Sequence, residues 1–120
     1  MRPLAVYTLA QCDTCRRAVR WLRARGLEFE ERPIRETPPR ATELKRALAA
    51  VGGDRRRLFN TAGREYRALG LAAKLPALGE AEAIALLAAN GSLVKRPFLV
   101  GPGITLVGFD EAGWAAALGP

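Results

Sequence analysis

The residues of this chain with the most chemistry to offer are Cys12 and Cys15, its only two cysteines, set in the run Cys12-Asp13-Thr14-Cys15. A C-x-x-C that follows a strand and opens a helix puts the first sulfur among unpaired backbone N–H groups. There the positive end of the helix dipole favours thiolate over thiol. Arg16 and Arg17 fall within the next turn and add positive potential. The second sulfur stands one turn deeper, placed to attack a mixed disulfide formed at the first. Cys12 is therefore the expected nucleophile and Cys15 the resolving thiol. The chain has no histidine, which removes the commonest general base and metal ligand and every Ser-His or Cys-His arrangement. Thiol–disulfide exchange needs none of these, because a thiolate is both nucleophile and leaving group. A structural zinc site wants four ligands, which two cysteines do not supply within one chain, so no metal is expected. The plain alternative is a pair of inert buried cysteines, which suits Cys15 on an apolar helix face but not Cys12 at the helix mouth.

Two further segments carry polar groups that such a site could use. Lys95-Arg96-Pro97 immediately precedes the β-rich Phe98-Leu99-Val100. Pro97 is tolerated as the first residue of a strand. A cis bond at Arg96–Pro97 would instead hold the backbone beside Cys12 and direct the Arg96 guanidinium toward an anionic substrate or thiolate, and the sequence leaves the isomer open. The run from Leu58 to Arg67 reads as a helix end, a glycine turn and a new helix. Its polar members Asn60, Thr61, Arg64 and Arg67 are candidates for the rim of the cysteine pocket. The expected catalytic set is thus Cys12, Cys15 and Arg96, with Arg16, Asn60, Arg64, Arg67 and Pro97 binding substrate.

These residues need elements to hold them. Pro3 to Leu9 is rich in β-formers and ends at a polar turn, so it reads as a buried first strand. A helix follows, with Asp13 and Thr14 at its start. Cys15, Ala18, Val19 and Leu22 lie on its inner face and Arg16, Arg17, Arg20 and Arg23 on its outer one, and Gly26 ends it. Leu27 to Arg32 alternates as a second strand, with Pro33 at its end or edge. After Thr37-Pro38-Pro39, Thr42 offers an N-cap to a helix over Glu43 to Val51. Shorter helices are expected at Arg55 to Phe59, Glu65 to Leu69 and Glu80 to Asn90. Pro97 to Val100 and Ile104 to Val107 form a hairpin across Gly101-Pro102-Gly103, and Asp110 caps a last helix through Leu118. The order β-α-β, helical block, β-β-α is the thioredoxin-like, glutaredoxin-type α/β arrangement with a mixed central sheet. One domain over 1–120 is expected, with its core at about 1–36 and 92–120 and a helical insertion at about 37–91.

Length and charge narrow the rest. A 120-residue chain with 49% hydrophobic residues buries enough surface to fold without disulfides or metals, which leaves both cysteines free for chemistry. The formal charge is +7, and of 19 basic residues only Lys45, Lys74 and Lys95 are lysines. The arginines are scattered, with Arg55-Arg56-Arg57 the one run of three and no interleaved aromatics, so direct sequence-specific nucleic-acid binding is not expected. Pro3 to Ala10 is too short for a signal or membrane segment, which predicts a cytoplasmic protein with no membrane partner.

The segments CDTCRRAVRWLRARG, LFNTAGREYRALGL, VKRPFLV and LVGF, in this order and spacing, resemble the arsenate reductase family of the glutaredoxin-linked type, and more closely its Spx and YffB branch. The resemblance covers essentially the whole chain. It implies a thioredoxin-like fold with a helical insertion, a nucleophilic cysteine at Cys12, and an active-site arginine followed by a cis-proline at Arg96 and Pro97. Arsenate reductases of this type hold the oxyanion with three arginines. Of these, Arg96 matches one, while the other two positions fall at Asn60 and Gly108. Their His-Asn-Pro lead-in is replaced by Leu9-Ala10-Gln11, and Cys15 instead matches the redox-switch disulfide of Spx-type regulators. The resemblance thus implies a monomeric thiol oxidoreductase with no bound cofactor, acting on a small thiol or disulfide, with Cys15 or an external thiol such as glutathione releasing Cys12. Its alternative is a redox-sensing transcription regulator that binds the C-terminal domain of the RNA polymerase α subunit.

Overall fold

The computed structural model describes residues 4–119. Four strands form one mixed sheet. They are β1 (Ala5–Thr8), β2 (Glu30–Pro33), β3 (Phe98–Gly101) and β4 (Ile104–Val107), in the order β2-β1-β3-β4. β1 pairs parallel to β2 and antiparallel to β3, and β4 runs antiparallel to β3. This is the thioredoxin-like arrangement predicted from the element order.

β1 is buried along its whole length because it is flanked by strands on both edges and packed on both faces. Its alternation divides the core in two, as the two-residue strand period requires. Val6 and Leu99 meet Ala18 and Leu22 of α1 (Asp13–Ala24) and Trp114 of α6 (Glu111–Leu118). On the opposite face Tyr7 and Phe98 pack edge to face, 5.8 Å between ring centroids. They meet Leu44 and Leu48 of α2 (Ala41–Ala50) and Ile84 and Leu87 of α5 (Glu80–Ala89). Between α2 and α5 lie two short helices, α3 (Arg64–Ala68) and α4 (Leu71–Lys74), and single 3-10 turns at Arg55–Leu58 and Leu75–Ala77. A further 3-10 turn, Gly91–Leu93, follows α5.

Several boundaries differ from the sequence reading. The Pro3 end of the predicted first strand lies outside the described residues. β2 begins at Glu30 rather than Leu27, because Leu27 closes α1: Gly26 takes φ +70° and donates its N–H to Arg23 O, and the Leu27 N–H reaches Leu22 O. This paired return is the helix-ending motif that glycine favours. The N-cap of α2 is Arg40, not Thr42. The Glu43 carboxylate accepts the Arg40 backbone N–H at 2.9 Å, so the residue predicted to open the helix sits in its first turn. Glu43 is buried, and its Oε1 also accepts from Tyr7 Oη at 2.7 Å, while Arg32 Nη1 donates to the same Tyr7 oxygen at 2.8 Å. Burial, then the Glu43 hydrogen bond, pushes the Tyr7 phenol above its usual value. Pattern alone did not find this network, which fastens α2 to β1 and β2. Among the described residues no helix is long and apolar enough to cross a membrane.

Candidate active site

β1 ends at Thr8, and four residues later Cys12 is the N-cap of α1. Its φ of −93° and ψ of 113° are extended, as an N-cap requires, and its Sγ accepts the backbone N–H of Cys15 at 3.2 Å. The sulfur thus takes the place of a capping oxygen and satisfies one of the N–H groups that the first turn leaves without a helical partner. The same sulfur lies at the N-terminal, positive end of the dipole of a helix of 12 residues. Asp13, expected with Thr14 at the helix start, is the first helical residue.

The two thiols are free and differ in environment. Cys12 is half-buried, while Cys15 is 1% exposed on the inner face of α1. Burial, with the Cys12 sulfur beside it, pushes the Cys15 thiol up to about 12, against the opposing pull of the Leu9 backbone and the Arg96 charge. Arg96 is therefore close enough to Cys15 to act on it electrostatically.

Arg96 is held from three sides. The Phe59–Val94 bridge zips the chain after the Arg55–Leu58 turn against the residues before β3, with Asn60 N–H donating to Leu93 O at 2.7 Å and Lys95 N–H to Leu58 O at 2.8 Å. This pairing sets Asn60 beside Arg96. With its carbonyl oxygen facing the guanidinium, the Asn60 amide accepts from Nη2 at 3.1 Å and Nη1 at 3.3 Å. Nη1 also faces Ser92 O at 3.3 Å. The Arg96–Pro97 bond is cis, and Pro97 is buried.

The remaining predicted residues do not all gather here. Arg16 is exposed; it donates to Ala10 O at 2.7 Å and pairs with Asp13, bracing the loop that leads into Cys12. Arg64 and Arg67 are exposed on α3, where Arg67 Nη2 donates to Ala62 O at 2.6 Å. Neither lines the groove that opens beside Arg96. That groove, about 530 Å³, is lined on its basic side by Arg17, Arg57, Lys95 and Arg96 and walled by Phe109 and Trp114. Thr14, between the two cysteines, lines it too, while neither Cys12 nor Cys15 does. The sequence reading noted Lys95 beside Arg96 and Arg57 in the run of three arginines but gave neither a role at the site, since exposed cations carry no periodicity that reveals which ones converge. Among the described residues no cluster of three or more His, Cys, Asp or Glu is placed to hold a metal ion.

The ArsC family model matches residues 7–117. The uncharacterized protein YusI from Bacillus subtilis is 42% identical over 108 residues, which cover 90% of this chain and 92% of that protein. The global transcriptional regulator Spx from Enterococcus faecalis is 29% identical, over 90% of this chain and 80% of its own length. Among solved structures, an ArsC family related protein from Bacteroides fragilis superposes with a TM-score of 0.89 at 38% identity, over 96% of this chain and 97% of that one. Since the matched span runs from β1 into α6 and takes in the cysteine pair, the Arg96 loop and the helices between, the chain belongs to the ArsC family.

Proposed function

We propose that the protein is a thiol–disulfide oxidoreductase that uses Cys12 as nucleophile and Cys15 as resolving thiol. The observation that carries this reading is the asymmetry of the pair. One sulfur caps the helix and is partly open to solvent, and the other is buried behind it and kept protonated. The Cys12 thiolate attacks a disulfide RSSR, forming Cys12–S–S–R and releasing RS⁻, which takes a proton from water. The Cys15 thiol then gives up its proton to solvent and attacks the Cys12 sulfur. The internal disulfide forms and the second thiolate leaves, so RSSR gains two electrons and becomes two thiols while the pair is oxidised. When Cys12 is bound in the mixed disulfide its sulfur no longer raises the Cys15 thiol, which eases the second step. An external thiol such as glutathione could release Cys12 in place of Cys15. Arg96, fixed by Asn60, supplies positive charge that acts on Cys15.

The test uses the reduced protein with hydroxyethyl disulfide. Cys12→Ser should abolish the release of 2-mercaptoethanol, and Cys15→Ser should accumulate a one-to-one mixed disulfide visible by intact-mass spectrometry. Release that survives Cys12→Ser overturns the mechanism.

A second reading is favoured by the similarity to the regulator Spx: the Cys12–Cys15 pair would act as a redox switch controlling contact with the RNA polymerase α subunit. A pull-down of the α C-terminal domain with oxidised and reduced protein decides it, and equal recovery or none removes that reading.

A further inference from the structure

The groove beside Arg96 holds more positive charge than the exchange reaction needs. Among the described residues the Arg57 guanidinium and the Lys95 ammonium have no hydrogen-bond or ion-pair partner. Arg17 lies over the Phe109 ring, 5.8 Å from its centroid, with its charge on the groove side. The one acidic residue lining the groove, Asp110, is engaged as N-cap of α6, its Oδ2 accepting the Gly113 N–H at 3.0 Å. Gly108 has no side chain in the way: a Cβ there would stand 3.3 Å from Lys95 Cε, so the lysine stem runs over the glycine into the groove. Unpaired cations of like sign collected in one concave site raise each other's energy unless an anion joins them. The four cations of the groove come from three parts of the chain, α1, the 3-10 turn ending at Leu58 and the residues just before β3, so their convergence is a product of the fold.

We infer that this groove is the substrate-recognition site of the proposed oxidoreductase. It selects disulfides or thiols that carry two or more negative charges, with Arg57 and Lys95 binding the anionic groups and Phe109 receiving the apolar part. The inference rests on the proposed exchange at Cys12. The volume of about 530 Å³ suits a peptide-sized or cofactor-sized molecule. Carboxylates and phosphates share the required chemistry.

The experiment compares the second-order rate constants with which the reduced protein is oxidised by neutral hydroxyethyl disulfide, by glutathione disulfide, which carries carboxylates, and by coenzyme A disulfide, which carries phosphates. At least one anionic substrate should be preferred by about tenfold or more at low salt, and the preference should shrink as salt screens the groove. In the double variant Arg57→Gln, Lys95→Gln it should fall to within about threefold of unity, while Lys45→Gln, which removes an exposed charge on α2, keeps it. No preference in the wild type, or a preference that survives the double variant, overturns the inference and leaves the exchange reaction standing. If no disulfide is reduced, the exchange reading fails by itself. The groove is then judged by titrating S-methylglutathione and pyrophosphate against the fluorescence of Trp114 and Trp21. Saturable quenching lost in the double variant upholds an anion-selective groove, and its absence refutes it.

Discussion

Cys15 is 1% exposed beneath Cys12, and burial with the neighbouring sulfur raises its thiol from 9.0 to about 12. Folding therefore holds this acid in its neutral form. Its contribution to stability is whole below the unfolded value and drains away as pH climbs toward the folded one. The window is pH 9 to about 12. At about 1.36 kcal/mol per unit, the loss is about 2 kcal/mol by pH 10.5 and about 4 kcal/mol across the window. Cys15→Ala deletes the titrating group and one buried heavy atom, at a cost of about 1 kcal/mol at every pH. The reduced wild type should therefore be the more stable protein at pH 8, the two should cross near pH 10, and the variant should lead at pH 10.5. Tyr7, also raised by burial, loses stability in the same range in both proteins and cancels in the difference. Urea unfolding followed by tryptophan fluorescence in the presence of a phosphine reductant measures the gap. A gap that stays constant from pH 8 to 10.5 refutes the picture of Cys15 as a buried, protonated reserve behind Cys12.

Arg96→Lys keeps a charge but loses the planar fork that Asn60 and Ser92 O hold, so the second-order rate with hydroxyethyl disulfide should fall about tenfold. Arg96→Met should lower it further, and equal rates for all three proteins would take Arg96 out of the site. Tyr7→Phe removes the hydroxyl between Glu43 and Arg32 and should cost about 1–3 kcal/mol in denaturant unfolding, since buried Glu43 loses a donor. A cost near zero would mean that the network contributes no stability. Gly91→Ala would put a Cβ 1.8 Å from Ile34 O, forcing the turn after α5 away from the end of β2. The expected penalty is about 3 kcal/mol, seen as a lower melting temperature, and an unchanged melting temperature contradicts the close approach.

The order of elements was legible because each depends on its own neighbourhood. The α1 face of Cys15, Ala18, Val19 and Leu22 is buried as its spacing predicts, the hairpin turns at Pro102-Gly103, and Asp110 caps α6. The errors came where a distant contact outweighed local preference. Thr42 is a better capping residue than Arg40, yet the helix starts earlier because Glu43 is drawn inward to Tyr7 and Arg32 and closes the first turn on the Arg40 N–H. Leu27 alternates with its neighbours like a strand residue, but its N–H is claimed by Leu22 O.

The same division runs through the site. By itself the sequence determined where thiol chemistry could be sited, because histidine is absent and two cysteines three residues apart share one helical turn whatever the rest of the chain does. It also singled out Arg96, next to the proline that enters β3. Only the tertiary structure decided what orients Arg96 and which of the many cations face the groove. Arg64 and Arg67, close in sequence to Asn60, are carried elsewhere by α3, and Arg57, Lys95 and Arg17 take the places beside Arg96. The reason is physical. A one-turn spacing follows from backbone geometry, whereas the convergence of exposed charges depends on strand pairings such as Phe59 with Val94, which join residues far apart in the chain.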